Sequence, residues 1–168
     1  MEELDKLKIP KIKKGTVIDH IDPGYALSIM DIIGLGETQN LMTIGVNIES
    51  KKYGKKDLIK VENIFLTETQ IQQISIITPN VSISLIEDFN VIEKVRLKLP
   101  KIIKKLIKCP NGTCISNSEK EPIDSEFNVL NEKPLKIQCI YCDRILNLDE
   151  LVFIEKKREK RIKQRILL

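Results

Sequence analysis

Hydrophobic positions along the chain switch between a period of two and a period near 3.6, and the order of these segments predicts the fold. Residues 14–21, KGTVIDHI, are rich in β-branched side chains and read as a strand that Pro23-Gly24 ends. Over residues 25–33 the apolar positions Ala26, Leu27, Met30 and Ile33 follow helical spacing, and Gly34 and Gly36 stop the helix. A second strand is expected at 41–48, followed by a charged turn from Glu49 to Lys56. A third is expected at 57–65, with Ile59 and Val61 facing opposite to Lys60 and Glu62. Thr67-Glu68-Thr69-Gln70 has the composition of a capping box, and the helix it opens carries Ile71, Ile74 and Ile77 as far as Pro79. Val81, Ile83 and Leu85 then alternate with Ser82, Ser84 and Ile86, and a further strand runs from Phe89 to Val95.

This βαββαβ order is that of a split βαβ, ferredoxin-like domain, an α+β fold. In strand order 4-1-3-2 the first and third strands are central and both helices cover one face. The other face is left for a ligand or partner. Period-two parity puts Lys60 and Ser84 on that free face, with Asp19 beside them. His20 falls on the opposite face unless the first strand bends. On spacing alone, Lys60, Glu62 and Ser84 equally describe the wet side of a half-buried sheet, and a lone His20 a hydrogen-bonded structural residue. Leu99-Pro100 marks a boundary, so residues 1–99 and 100–168 are expected as separate domains. Beyond it, Ile102, Ile103, Leu106 and Ile107 sit at helical spacing.

Composition narrows the function classes. The 168 residues are 42% hydrophobic and 31% charged, which suits a packed core rather than a disordered chain. No apolar run reaches the roughly 20 residues of a membrane helix, and Met1 to Lys6 lacks the apolar stretch of a signal peptide, so neither membrane nor export is expected. There are 29 isoleucines, a single alanine and no tryptophan. Scarce aromatics weaken a single-strand nucleic-acid reading, which needs rings for stacking. One histidine excludes any mechanism built on two imidazoles. From Glu155 onward, seven cationic residues stand against two acidic ones, a net of +5, which leaves −1 for the other 154 residues. The basic excess thus sits in a tail from about 155. Ile162 and Ile166 there fit a short amphipathic helix or a disordered tail.

The four cysteines carry the strongest local signal. Cys109 and Cys114 form C-x4-C, Cys139 and Cys142 form C-x2-C, and 24 residues separate the pairs. Two knuckles joined by a long loop suit a tetrahedral Zn2+ with four thiolates. Pro110-Asn111-Gly112 supplies turn chemistry in the first knuckle. Two disulfides are the alternative, favoured only in secreted chains. Four protein ligands leave no open position for water or substrate, so the ion would fold a segment too small to build its own core. Lys108, Lys136 and Arg144 beside the ligands offset the charge of the site or are simply solvated. There is no G-x-G-x-x-G, no phosphate-binding G-x-x-x-x-G-K-[ST] and no G-x-S-x-G. A binding or regulatory module is therefore favoured over an enzyme, for which only the cluster Asp19, His20 and Lys60 offers a motive. The cysteine spacing and basic tail also fit a zinc-ribbon nucleic-acid-binding module.

Several strings resemble the regulatory chain of aspartate carbamoyltransferase in order along the sequence. They are KGTVIDHI at 14–21, TIGVN at 43–47, KDLIKVEN at 56–63, CPNGTCIS at 109–116 and CIYC at 139–142. The similarity runs from about Lys6 to about Leu148. The resemblance implies a non-catalytic, cytoplasmic subunit whose N-terminal domain binds nucleotide effectors such as CTP, ATP and UTP. It implies a small all-β, zinc-ribbon-like C-terminal domain that contacts the catalytic chain, a homodimer of regulatory chains, and a role in pyrimidine biosynthesis with no nucleic acid or membrane partner. By local match the effector-binding residues are Lys6, Ile9, Ile12, Asp19, His20, Lys60, Ser84, Phe89, Val91 and Lys94. Lys60 and Lys94 would meet the phosphates. Backbone groups near Ile12 and Phe89 would read the base edge. Ser84 stands where an asparagine is often found and Phe89 where a tyrosine is often found, which implies a different effector preference.

Overall fold

The β-branched run after Lys14 forms β1 (Gly15–Ile21), the central strand of a five-stranded sheet. The computed structural model describes residues 9–52 and 54–154; Lys6 and the basic tail from Glu155 lie outside them. After β1 come α1 (Ala26–Ile32), β2 (Met42–Ser50), β3 (Gly54–Glu62), α2 (Glu68–Ile77), β4 (Ser82–Glu87) and β5 (Asn90–Arg96). The strand order is β2-β3-β1-β4-β5, antiparallel throughout. This is the 4-1-3-2 arrangement with one strand added beside β4. The chain divides into two units between Pro100 and Lys101.

The helices pack on one face, against Thr16 and Ile18 of β1, Ile59 and Val61 of β3 and Ile83 of β4, all buried. Ala26, the lone alanine, is fully buried at the start of α1. The expected helix stop holds, with Gly34 at φ 69° one residue past the C-cap. The capping box of α2 also forms. Thr67 Oγ1 accepts the Gln70 N–H at 3.2 Å, and Gln70 Oε1 accepts the Thr67 N–H at 2.8 Å.

Two expectations fail for physical reasons. The charged stretch 49–56 is mostly ladder rather than turn. Glu49 faces Lys55 across the hairpin, Ile48 faces Lys56, and Gly54 at φ 73° begins the return strand. Opposite charges paired across two strands look, in sequence, like a polar loop. The expected helix after Pro100 is two short strands, β6 (Ile102–Lys104) and β7 (Ile107–Lys108). Lys105 at φ 60° turns the chain between them, so Ile103, Leu106 and Ile107 all point inward without helical periodicity.

The second unit continues with β8 (Glu126–Glu132), β9 (Leu135–Cys139), β10 (Ile145–Asn147) and β11 (Val152–Phe153). Its sheet runs β10-β9-β8-β6, and β7 pairs with β11. Ile103, Ile107, Phe127, Ile137 and Leu146 fill a small core with three of the cysteines beside them. Among the described residues no helix is long and apolar enough to cross a membrane.

Replacing Thr67 with Ala removes the cap of α2. The expected loss is about 1 kcal/mol in urea unfolding, while Thr67→Ser, which keeps the acceptor, stays near wild type. Equal stability of all three chains would show that the capping box contributes nothing.

Candidate functional site

The face of the sheet opposite the helices carries the polar residues, and two bulges decide which of them reach it. Along β1 and β3 the register pairs Asp19 with Leu58 and then Ile21 with Asp57, leaving His20 as an extra residue at φ 64°. One extra residue breaks the alternation, so Asp19 and His20 both turn to the open side while Ile21 stays buried. Sequence parity alone assigned His20 to the helix side; the bend that overturns this is the bulge. In β2, Gly45 pairs with Leu58 and Ile48 with Lys56, so Val46 and Asn47 stand together opposite Asp57. Asn47 takes φ 57°, a conformation that asparagine tolerates better than most residues.

Register then lines up the open face. Val17 pairs with Lys60 and with Ser84, Ser84 with Lys94, and Ser82 with Arg96. His20, Lys52, Ser82, Lys94 and Arg96 line a cavity of about 400 Å³. Asp19 Oδ1 accepts both the His20 backbone N–H and Lys56 Nζ, each at 2.7 Å, and its Oδ2 lies 3.4 Å from His20 Nδ1. Burial lowers the pKa of His20 below the ordinary 6.5, against the opposing pull of Asp19; Lys56, Lys94 and Arg96 lower it further. The imidazole is therefore mainly neutral at pH 7. Burial likewise lowers Lys60, again against Asp19.

The remaining expected residues fall into two groups. Lys60 Nζ donates to the carbonyls of Ile9 and Pro10, at 3.3 and 2.9 Å, and so holds the N-terminal segment across the open face. Ile9 rests against Gly45, where its Cδ1 comes within 3.2 Å of the place a Cβ would occupy, and Ile12 is buried. Phe89 and Val91 are exposed and do not line the cavity. The Phe89 N–H is committed to the Lys13 carbonyl at 3.0 Å. Lys52, Lys56, Ser82 and Arg96 belong to the same face but were not nominated by sequence. Ser82 and Arg96 share the parity of Ser84 and Lys94, which is the signal that finds them. Lys52 and Lys56 lie in the stretch read as a charged turn.

In the second unit the four cysteines converge. All are free thiols, and their Sγ atoms lie within 4.8 Å of one another. Cys109 and Cys142 are 3.6 Å apart and Cys114 and Cys139 3.7 Å, far beyond a disulfide bond. Metal–sulfur bonds of ~2.3 Å in a tetrahedron place neighbouring sulfurs about 3.8 Å apart, so the spacing fits a tetrahedral ion. Each knuckle is pinned locally. Asn117 Nδ2 donates to the Cys109 and Asn111 carbonyls at 2.7 and 2.8 Å, and the Asp143 N–H donates to the Cys139 carbonyl at 3.0 Å. Burial pushes the Cys109 thiol up to about 12 and raises Cys139, whereas the Arg144 backbone N–H draws Cys142 down to about 7. A cation held there must displace protons from thiols that do not ionise together. The site is closed and mostly buried, suited to holding structure rather than to reacting.

Comparison with known proteins covers both units. Residues 7–98 match the family model described as the aspartate carbamoyltransferase regulatory chain, allosteric domain, and residues 101–152 match that family's metal-binding domain. Proteins named aspartate carbamoyltransferase regulatory chain are similar over most of their length. The one from Ignicoccus hospitalis is 39% identical over 150 residues, covering 88% of this chain and 96% of its own. That from Staphylothermus marinus is 40% identical over 148 residues, covering 88% and 90%. That from Methanopyrus kandleri is 37% identical over 145 residues, covering 86% and 93%.

Cys139→Ala takes away one of four ligands. Stoichiometric metal uptake should vanish and residues 101–154 should lose their fixed packing, read by metal analysis and near-ultraviolet dichroism. Retention of both would show that the four sulfurs do not act as one site. In the wild type, metal affinity should fall as pH is lowered, because each bound sulfur must first lose a proton.

Proposed function

Because this chain belongs to the aspartate carbamoyltransferase regulatory-chain family, we propose that it is the non-catalytic subunit that binds nucleotide effectors and passes their influence to a catalytic chain. The effectors are nucleoside triphosphates, CTP, ATP and UTP among them, and the controlled step is the first commitment of carbamoyl phosphate and aspartate to pyrimidine synthesis. One observation carries this reading: three cationic side chains, Lys52, Lys94 and Arg96, surround one cavity with His20 and Ser82 on an open sheet face. The cavity has the size of a small-ligand site. Cations at several corners suit a polyphosphate, and Asp19 beside His20 offers an acceptor to sugar hydroxyls. Lys60, Ser84 and the N-terminal segment at Ile9 and Ile12 complete the effector site on the same face. The family resemblance adds Phe89, Val91 and Lys6 as further candidates for this site.

Zinc is the ion of choice for four thiolates in a closed tetrahedral site. In this reading Cys109, Cys114, Cys139 and Cys142 hold it, and the unit they fold grips the catalytic chain. Two regulatory chains pair as a homodimer. Four free cysteines suit the reducing cytoplasm.

Co-purification with the catalytic chain, followed by activity curves with and without CTP, tests the function. The isolated chain should show no carbamoyltransferase turnover. Lys94→Ala, at an exposed position, should weaken CTP binding by about 2- to 5-fold, the range of a screened charge contact, in calorimetry of the assembled complex. Wild-type affinity in that variant would remove the phosphate role from Lys94. CTP affinity should also rise as pH falls from about 8 to about 6. A polyanion beside His20 raises its pKa from the lowered value, so by linkage protonation of His20 strengthens binding.

A further inference from the structure

Asp57 is fully buried in the helix-covered half of the sheet, and among the described residues no cationic side chain forms an ion pair with it. Its carboxyl group accepts three backbone N–H groups instead. Oδ2 takes Gly24 at 2.8 Å and Ala26 at 3.3 Å, and Oδ1 takes Asn47 at 2.8 Å. Gly24 lies in the turn that follows β1, and Ala26 opens α1. Asn47 is the bulge in β2. Asp57 therefore stands where both neighbouring strands carry extra residues, and its two oxygens tie the β2 bulge at Asn47 to the turn and helix start that follow β1.

We propose that Asp57 is a positioning residue for the effector cavity: its buried carboxyl group binds the β2 bulge on one side and the chain just past β1 on the other, which fixes the bulged end of β1 and so aims His20 into the cavity, with Lys56, the next residue back along β3, against Asp19. The proposal rests on the cavity being the nucleotide site. Without the bulge in β1, alternation turns His20 toward the helices and removes one wall of the cavity. The 2.7 Å contact of Lys56 with Asp19 runs between β3 and β1, so it depends on the same bulged end of β1. Asparagine at this position keeps the shape but presents an amide to one of the two sets of N–H groups, so one side of the anchor is lost.

The test uses Asp57→Asn in the assembled complex, below its unfolding temperature, with two readouts. Calorimetry should show CTP binding weakened about tenfold or more. Nuclear magnetic resonance of the single histidine of the chain should show its titration midpoint moving up toward that of a free imidazole, as His20 leaves its partly buried place among Asp19, Lys56, Lys94 and Arg96. A folded variant with wild-type affinity and an unchanged His20 titration would overturn the proposal, leaving Asp57 a purely structural anchor. Should Asp57→Asn not fold, hydrogen exchange in the wild type decides. CTP should raise protection of the Gly24, Ala26 and Asn47 amides together, and a ligand that leaves all three unchanged counts against the coupling. If the wild type binds no nucleotide, the effector reading fails by itself. The titration of His20 in Asp57→Asn still settles whether Asp57 positions it.

Discussion

Both helices of the first unit cover one face of its five-stranded sheet, and the polar chemistry of the unit follows from that asymmetry. The covered face is sealed with isoleucine, and the lone alanine lets α1 approach closely. The bare face has to present side chains that tolerate water, so serines, lysines and an arginine stand there in register. An antiparallel sheet with one wet side is ordinary. What distinguishes this one is that cations from the β2–β3 turn and from β5 face a common space together with the bulged end of β1. The scaffold fixes where they converge without being part of the chemistry itself.

The two units solve the stability problem differently. The first builds a core from alternating apolar positions on its strands and from two helices. Residues 101–154 have short strands, several of only two or three residues, and too few buried side chains to do the same. There the cysteines join the core: Cys109, Cys114 and Cys139 are buried beside Ile103 and Phe127. A thiol cluster so placed is poorly hydrated and held by neighbouring backbone groups, which favours a bound cation over four separate thiols. If a metal occupies the site, its binding and the folding of this unit are coupled.

Much of this was legible in the residues. Alternation of apolar and polar positions located the strands of the first unit. Thr67 and Gln70 marked the start of α2, and the two cysteine pairs announced a single site. Several of the features that escaped come from a break in periodicity. A bulge shifts parity at a single residue, and nothing about His20 or Asn47 as residue types demands it. Asp57, which stands opposite both bulges, lies elsewhere in the chain, and its place becomes visible only once β1, β2 and β3 are side by side. The β2–β3 hairpin was misread because Glu49, Lys55 and Lys56 look like loop residues until they pair across the ladder. The strands after Pro100 were misread because a turn at Lys105 places apolar residues at helical intervals by coincidence.

Net charge was equally unhelpful, and the reason bears on the ligand. Outside the basic tail the chain sums to −1, yet three cations ring one cavity. What a small anion meets is the local arrangement, not the total. Lys52, Lys94 and Arg96 are all exposed, and an exposed charge contact is screened to roughly 0–1 kcal/mol on its own. A single carboxylate would gain little there over remaining in water. A chain of phosphates reaches several of the cations at once, releases water from each, and adds those small terms on one ligand whose loss of freedom is incurred a single time. Asp19 sharpens the choice, because its carboxylate draws Lys56 aside and meets hydroxyls better than it meets further negative charge. Under the proposed effector reading, this arrangement would suit a molecule with dense negative charge at one end and hydrogen-bonding hydroxyls at the other, as a nucleoside triphosphate has.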